Sequence, residues 1–289
     1  MKVFVIGLDC LEYKYVVSWK MNGLKQKFYG IHDVRVAVKR GRLYTPFIWT
    51  SFLTGRPAYK YSWSSMKEKE RVAWGKLYPL FKLRSLLPIN LGLRKLMSKS
   101  GLRKREWSLE EAEKLEKMPE DARKETFLEE AKRKGYKVWA EEIPAYNDRQ
   151  VAQYRFNMSN LVDKTIKERK RFVEEVFNFV CDMWDRAVSA LEESDLVMFY
   201  SPLPDPAHHL FASRRIRHKL ILHKIYKKLN DMVASVQNNV AKIVVSDHGF
   251  DDKEYTHSEY GFWSSNIKLP QKPRTVLDFK NIILQLIEK

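Results

Sequence analysis

Short apolar runs bounded by turn residues recur along the chain. Three are strongly apolar, at Val3–Leu8, 196–200 and 243–245, and a weaker one covers residues 135–140. Fully apolar runs of this length are typical of strands in a parallel sheet that is covered on both faces. The pattern therefore predicts a mostly parallel central sheet built on these strands.

The segments between the strands carry apolar residues at three- and four-residue spacing, which is the helical period. The clearest helices predicted in this way cover residues 125–134, 160–191 and 219–236. Gly135 directly follows the first of them, where glycine is a common helix stop. Strands that alternate with helices of this length predict a layered α/β fold, and we expect residues 1–289 to form one domain.

One basic segment does not follow this alternation. Between Lys76 and Arg105 there are nine lysine and arginine residues and no acidic residue, with leucines and aromatic residues interleaved. Ser108 and Glu111 then have the spacing of a capping box, which predicts the start of a further helix. We interpret residues 66–118 as a basic helical insertion or cap in the α/β domain. It either contacts nucleic acid or an anionic lipid surface, or forms a solvated cap with a small apolar underside.

Composition narrows the class of protein. The 289 residues include 53 Lys and Arg against 36 Asp and Glu, a formal charge of +17, with 44% hydrophobic and 31% charged residues. These values exclude a disordered or fibrous chain, and the charge indicates a polyanionic partner, a phosphorylated substrate or high solubility.

Cys10 and Cys181 are the only cysteines, which excludes a disulfide framework and a cysteine-based zinc site. With no long apolar run and no signal-peptide pattern, we expect a cytoplasmic protein without a transmembrane segment.

Acidic and imidazole side chains follow the predicted strands, where functional groups gather in open α/β sheets. Asp205 and His209 illustrate the pattern, because their four-residue spacing places both on one face of a helix. The full set of such residues is Asp9, Asp205, His209, Asp247, His248 and His257. Three carboxylates and three imidazoles, with one hydroxyl, are what two adjacent divalent cations need from a protein that leaves positions open for substrate.

A hydroxyl is supplied by a segment with strong helix signals. Thr45 is a favoured N-cap residue, Pro46 a favoured first helical residue and Gly55 a favoured stop. The pattern predicts a helix with the Thr45 hydroxyl at its N-terminus, where free N–H groups and the helix dipole attract phosphate. Considered alone, Thr45 is better explained as an ordinary cap.

The order of these motifs resembles that of a known family. In chain order they are Asp9, the run Thr-Pro-x-x-Trp-Thr-Ser-x-x-Thr-Gly beginning at Thr45, Asp-x-x-x-His at Asp205 and His209, Val-Ser-Asp-His-Gly-Phe around Asp247 and His248, and His257. The set is similar to that of the alkaline phosphatase superfamily, and within it to the type I phosphodiesterase/nucleotide pyrophosphatase branch. The resemblance covers residues 1–60 and 125–268 approximately.

The resemblance implies an alkaline-phosphatase-like α/β/α sandwich and two divalent metal ions, Zn²⁺ first and Mn²⁺ as the other candidate. The ligands of one ion would be Asp205, His209 and His257, and those of the other would be Asp9, Asp247, His248 and the Thr45 oxygen. Thr45 would also be the nucleophile that forms a phospho-threonine intermediate. The implied reaction is hydrolysis of a phosphodiester or nucleotide pyrophosphate bond.

The chain departs from the family pattern after its Thr-Gly-x-x-Pro motif. The family usually has His-Gly soon afterwards, whereas this chain continues Ala-Tyr-Lys-Tyr, and we identify no counterpart of the family's downstream asparagine. Arg56 and Lys60 either contact phosphate oxygens or are surface charges. Phe262 and Trp263 either stack on an aromatic leaving group or pack in the core.

Two other functions remain open. A phosphomonoesterase or phosphomutase of the same superfamily would use the same site on a different substrate. From another class, a basic protein with an inactive site would bind nucleic acid or a membrane surface through the segment from Lys76 to Arg105. Binding of that kind should weaken steeply as the salt concentration rises.

Overall fold

A computed structural model of the chain describes residues 1–38, 43–63, 108–211, 216–237 and 239–289. These residues form a six-stranded sheet, a two-stranded hairpin and eleven α-helices. The strands are β1 (Val3–Leu8), β2 (Phe28–Asp33), β3 (Val138–Ala140), β4 (Leu196–Ser201), β5 (Ala241–Val245), β6 (Gly249–Asp251), β7 (Thr256–Ser258) and β8 (Tyr260–Ser265). The helices are α1 (Tyr13–Ser18), α2 (Asn22–Lys25), α3 (Thr45–Thr54), α4 (Leu109–Glu116), α5 (Glu120–Lys124), α6 (Phe127–Arg133), α7 (Gln150–Met158), α8 (Ile166–Ala190), α9 (Asp205–Phe211), α10 (Ile216–Ser235) and α11 (Phe279–Ile287).

The central sheet is mostly parallel, with the strand order β2-β8-β5-β1-β4-β3. β1 lies in the middle and pairs in parallel with both β4 and β5, and β3 joins β4 in parallel. β8 runs antiparallel to β5, and β2 runs antiparallel to β8 at the edge of the sheet. The prediction of a mixed α/β fold around a mostly parallel sheet is therefore confirmed.

Both faces of the sheet are covered. Because neighbouring strand residues point to opposite faces, alternate side chains of β1 enter two different cores. Val3 and Val5 belong to a core shared with α3, α6 and α11, whereas Phe4 and Ile6 belong to a core shared with α8 and α10. All six residues of β1 are buried, which explains why its sequence is continuously apolar.

The predicted elements are present, with shifted ends. β4 extends to Ser201, and β5 begins two residues earlier than predicted, at Ala241. The weaker strand predicted at 135–140 is β3, which covers only Val138–Ala140. Capping boxes at Ser108 and Thr165 begin α4 and α8, so the second of these helices starts later than the apolar periodicity indicates. Side-chain caps define these helix starts more sharply than hydrophobic spacing does.

The apolar pattern does not predict β2, β6, β7 or β8. These strands are short or mix polar with apolar residues, and they form through pairing between distant segments. Phe28 at the start of β2 lies opposite Ser265 at the end of β8, for example. Such pairing depends on where the chain returns in space, which local patterning does not reveal.

Most of the predicted basic insertion, including the segment from Lys76 to Arg105, lies outside the described residues. Its final part forms α4, whose apolar side packs against α7 around Phe156. The domain boundaries and the binding of an anionic polymer or lipid surface therefore stay predictions. Among the helices that the structure describes, none is long and apolar enough to cross a bilayer.

Candidate metal centre

Most of the candidate ligands gather at one edge of the sheet because the strands that precede them, β1, β4 and β5, are parallel neighbours. Leu8 at the end of β1 lies opposite Ser201 at the end of β4, and the Asp9 N–H donates to the Ser201 carbonyl at 3.0 Å. The Asp205 N–H in turn donates to the Asp9 carbonyl at 3.1 Å. The predicted convergence of side chains at these strand ends is therefore present in the fold.

One group of ligand atoms consists of Asp205, His209 and His257. Asp205 and His209 lie one turn apart on the short helix α9, with His209 Nε2 3.2 Å from Asp205 Oδ1. His257 lies on β7 opposite Phe250, so the β6–β7 hairpin returns its ring to α9. His257 Nε2 is 3.5 Å from Asp205 Oδ1 and 2.8 Å from His209 Nε2. Two imidazole nitrogens and a carboxylate oxygen thus face one another at close range.

A second group forms around His248. Its Nε2 lies 3.4 Å from Asp9 Oδ1 and 3.3 Å from Asp247 Oδ2. Ligand atoms of Asp9, Asp205 and His248 all lie within 4.8 Å of one another, as do those of Asp205, His209 and His257. Asp205 therefore stands between the two groups, a shared position that the spacing of the motifs does not reveal.

The second carboxylate oxygens of Asp9 and Asp247 are held by defined donors. The Tyr200 hydroxyl donates to Asp9 Oδ2 at 2.5 Å. The N–H of Cys10, which has a left-handed backbone with φ of 62°, donates to Asp247 Oδ1 at 3.2 Å. These bonds turn one oxygen of both residues toward the protein and leave the other facing the cluster.

The atoms that face the cluster are buried and lack hydrogen-bond partners among the described residues. They are Asp9 Oδ1, Asp205 Oδ1, Asp247 Oδ2 and His248 Nε2. A buried polar atom without a partner costs about 1–3 kcal/mol, so four at one point require an explanation. Carboxylate oxygens and imidazole nitrogens are the donors that Zn²⁺ and Mn²⁺ accept. The residues present therefore fit divalent metal ions.

The electrostatics of the cluster depend on burial and on the mutual repulsion of its carboxylates. Burial raises the pKa of Asp9 well above its usual value, and the charges of Asp247 and Asp205 add to the rise. Burial likewise raises the pKa of Asp247 to about 7 and lowers the pKa of His248 well below its ordinary range. Burial also opposes the charged form of Asp205, but the imidazoles of His209 and His257 hold its pKa well below normal. A cation would stabilise all three carboxylates in their charged form.

Thr45 is the first residue of α3. The N-cap is Tyr44, so the expectation that Thr45 is the cap is wrong by one position. Tyr44 is the cap because its backbone is extended while its carbonyl already accepts hydrogen bonds from the N–H groups of Phe47 and Ile48. Gly55 ends the helix as predicted, in a left-handed conformation with φ of 66°.

The packing of α3 brings its first turn toward the strands that carry the cluster. Trp49 lies one helical turn after Thr45, on the same face. Its ring centroid is 5.3 Å from that of Tyr200, and it lies over Gly7 so closely that a Cβ there would be 2.6 Å from the ring. Tyr200 is the residue that donates to Asp9. Thr45 itself is buried, with 4% of its surface exposed.

The two cations considered from the motif do not join the cluster. Arg56 lies beyond the C-terminal end of α3, where its guanidinium pairs with Glu125 at 3.1 Å. Lys60 is exposed on the following turn. Because Arg56 stands at the opposite end of the ten-residue α3 from Thr45, roughly 15 Å of helix separates the two.

Arg155 is a positive side chain whose charge acts on the cluster, and the motif analysis does not identify it. It lies on α7, is 13% exposed, and its charge opposes the rise of the Asp9 pKa. No strand end or motif marks this arginine in the sequence, so only the fold reveals its location. Phe262 and Trp263 are 1% and 5% exposed, which confirms core packing for both.

Comparison with family models shows which proteins the chain is similar to. A family model described as type I phosphodiesterase / nucleotide pyrophosphatase matches residues 97–270, more than half of the 289-residue chain. The matched range contains the five candidate ligands from Asp205 to His257 but neither Asp9 nor Thr45. No curated protein matches the chain.

Proposed function

Because the chain belongs to the type I phosphodiesterase/nucleotide pyrophosphatase family of the alkaline phosphatase superfamily, we propose that it is a metal-dependent hydrolase of phosphodiester or nucleotide pyrophosphate bonds. The family supports a hydrolase that acts on a phosphorylated small molecule. The observation that carries the proposal is the cluster of four buried ligand atoms at the ends of β1, β4 and β5, which have no hydrogen-bond partner among the described residues. They meet where an α/β sheet holds its functional groups.

We assign two divalent ions to this cluster, with Zn²⁺ as the first choice and Mn²⁺ as the alternative. One would be held by Asp205, His209 and His257, and the other by Asp9, Asp247, His248 and the Thr45 hydroxyl. When bound, such ions supply Lewis-acid chemistry, because they polarise phosphoryl oxygens and favour the ionised form of a nearby hydroxyl. Asp205 is close enough to both groups to orient them relative to each other.

Thr45 is the proposed nucleophile. Its Oγ1 attacks phosphorus while the bond to the leaving oxygen breaks, and the electron pair of that bond departs with the leaving group. The hydroxyl proton passes to solvent. Water then attacks the phospho-threonine, which releases the phosphoryl product and restores the Thr45 hydroxyl. The position of Thr45 at the N-terminus of α3 supports this role, because the helix dipole favours negative charge there.

The test compares bis-p-nitrophenyl phosphate with p-nitrophenyl phosphate, each with added Zn²⁺ or Mn²⁺, for the wild type and Thr45→Ala. We expect the diester to be preferred, and turnover to fall at least a hundred-fold in Thr45→Ala while bound metal is retained. Thr50→Ala is the matched control, since Thr50 is a buried threonine in the middle of the same helix. It should retain wild-type turnover.

Other results of this assay change the proposal in defined ways. Wild-type activity in Thr45→Ala would exclude the covalent mechanism. A preference for the monoester would favour the phosphomonoesterase or phosphomutase function of the same superfamily. Bound metal without turnover of either substrate would exclude hydrolysis of simple phosphate esters at this site.

A further inference from the structure

The residue before the candidate nucleophile is tied to a helix outside the sheet. The Tyr44 carbonyl accepts from the N–H groups of Phe47 at 2.9 Å and Ile48 at 3.1 Å, which holds the first turn of α3. The Tyr44 hydroxyl donates to Glu116 Oε1 at 2.5 Å. Glu116 is the last residue of α4 and is 1% exposed. A partly buried side-chain bond thus connects the start of α3 to a residue 72 positions later in the chain.

Glu116 is itself held in place by Arg155, whose side chain is largely buried. Its Oε2 accepts from Arg155 Nε at 2.8 Å and from Arg155 Nη2 at 2.6 Å. Arg155 Nη2 also donates to Asp148 Oδ2 at 2.5 Å, and Asp148 Oδ1 accepts the Ala145 N–H at 2.8 Å. Charge-assisted bonds of this kind are short and directional, so the Glu116 carboxylate has little freedom to move.

Helix α3 also packs beside the candidate metal centre, because the Trp49 ring lies 5.3 Å from that of Tyr200, whose hydroxyl donates to Asp9. The charge of Arg155 acts on both Asp9 and Tyr200, which are joined by a hydrogen bond of 2.5 Å. Arg155 Nη1 is buried and has no hydrogen-bond partner among the described residues. The Arg155 guanidinium therefore holds Glu116, which bonds to the residue before α3, and its charge acts on the candidate ligand Asp9.

We propose that Tyr44, Glu116 and Arg155 are positioning residues that hold the Thr45 hydroxyl in register with Asp9. The inference rests on the proposed role of Thr45 as nucleophile. Attack on phosphorus requires the hydroxyl within a few tenths of an ångström of its productive location, and a misplacement of about 1 Å can lower a rate by roughly a hundred-fold. A rigid side-chain bond next to the nucleophile provides this precision where backbone bonds alone do not.

Tyr44→Phe tests the proposal, since it removes the hydroxyl and keeps the ring that packs edge-on against Phe47. We expect the single-turnover rate of p-nitrophenolate release from bis-p-nitrophenyl phosphate to fall about ten- to a hundred-fold. The half-saturating substrate concentration and the bound metal should not change. Hydrogen exchange of the amides in the first turn of α3 should become faster, which is a readout independent of activity.

Tyr61→Phe is the matched control. The Tyr61 hydroxyl donates to Glu125 Oε2 at 2.7 Å, so the variant also breaks a tyrosine–glutamate bond. Tyr61 follows the opposite end of α3 from Thr45, and its variant should keep the wild-type rate. Thermal unfolding of both variants separates a positioning effect from general destabilisation, because only the former lowers the rate at temperatures where the protein is fully folded.

Measuring Thr45→Ala in the same series separates the two proposals. If Thr45→Ala turns over normally, the proposed function of Thr45 is wrong. If Thr45→Ala is inactive while Tyr44→Phe retains the wild-type rate, the positioning inference alone is wrong. Equal losses in Tyr44→Phe and Tyr61→Phe would also overturn it, since they would point to general destabilisation of α3.

Discussion

The pKa values of the histidines shift in opposite directions according to what surrounds each ring. The carboxylate of Asp205 raises the pKa of His209 above its ordinary value. Burial instead lowers the pKa of His32 and of His208 to about 3. His32 is 1% exposed, stacks edge-on against Phe279 at 5.0 Å, and neither ring nitrogen has a hydrogen-bond partner in the described part of the chain. This ring is therefore neutral at physiological pH and serves packing.

His32 should make the fold acid-sensitive. Because the folded-state pKa is lower than the unfolded value, the folded protein binds fewer protons between pH 6.5 and about 3. Its contribution to stability is complete above pH 6.5 and is lost as the pH falls, at up to about 1.4 kcal/mol per pH unit. We expect the free energy of unfolding of His32→Leu, measured with urea, to depend less steeply on pH between 6.5 and 4 than that of the wild type. The difference in slope should correspond to about one proton fewer taken up on unfolding. Parallel pH profiles for the two proteins would contradict this assignment.

At the scale of elements, the β6–β7 hairpin depends on α1 for its position. Glu12, the N-cap of α1, accepts the Phe250 N–H at 2.9 Å, and the Tyr15 hydroxyl donates to Asp252 at 2.7 Å. Phe250 lies opposite His257 in the hairpin. The start of one helix therefore sets the location of a candidate ligand that is more than 200 residues away in sequence.

Loosening this contact should weaken metal binding without unfolding the protein. Tyr15→Phe removes the bond to Asp252 and keeps the ring that stacks on Trp19 at 4.2 Å. A hydrogen bond to a charged group is worth about 1.5–3 kcal/mol, part of which orients His257, so we expect a three- to ten-fold higher Kd for Zn²⁺. Competition with a chelating dye measures this affinity. Tyr61→Phe, whose hydroxyl bonds elsewhere, should bind Zn²⁺ like the wild type.

At the scale of the whole molecule, one edge of the sheet concentrates negative charge in a chain that carries +17 overall. Asp9 and Asp247 are each 2% exposed and Asp205 is 6% exposed. Three buried carboxylates in one cluster repel one another, which opposes folding when no cation is bound. Whether a cation is bound at this edge should therefore control the stability of the entire fold.

Removal of metal should lower the free energy of unfolding. Ligand binding stabilises a folded state by about 4 kcal/mol when the free ion is at a thousand times its Kd. We expect chelator to lower the thermal midpoint and Zn²⁺ or Mn²⁺ to restore it. Asp247→Asn should raise the stability of the metal-free protein and reduce the gain from metal. Asp231→Asn, which changes an exposed aspartate paired with Lys227, should leave both unchanged. An unchanged midpoint after chelation of the wild type would argue against a metal centre.

The parallel strands, the capping box at Ser108 and the grouping of the ligand candidates could be predicted because each has a local cause. A strand covered on both faces must be continuously apolar, and capping boxes need only residues three positions apart, as at Ser108 and Glu111. The carboxyl ends of neighbouring parallel strands meet at one edge, so Asp9, Asp205 and Asp247 could be grouped before the fold was known.

The remaining features depend on contacts between segments that are distant in the chain. The antiparallel edge of β2 and β8, the return of His257 on its hairpin and the shared position of Asp205 arise from pairing and packing. Arg155 shows the same limit, because it meets Glu116 across 39 residues and no local pattern distinguishes it from a surface arginine. Periodicity and capping chemistry act within a few residues, so they can be recognised in the amino-acid sequence. The partner that a buried polar atom finds depends on how the layers pack, and only the folded chain contains that information.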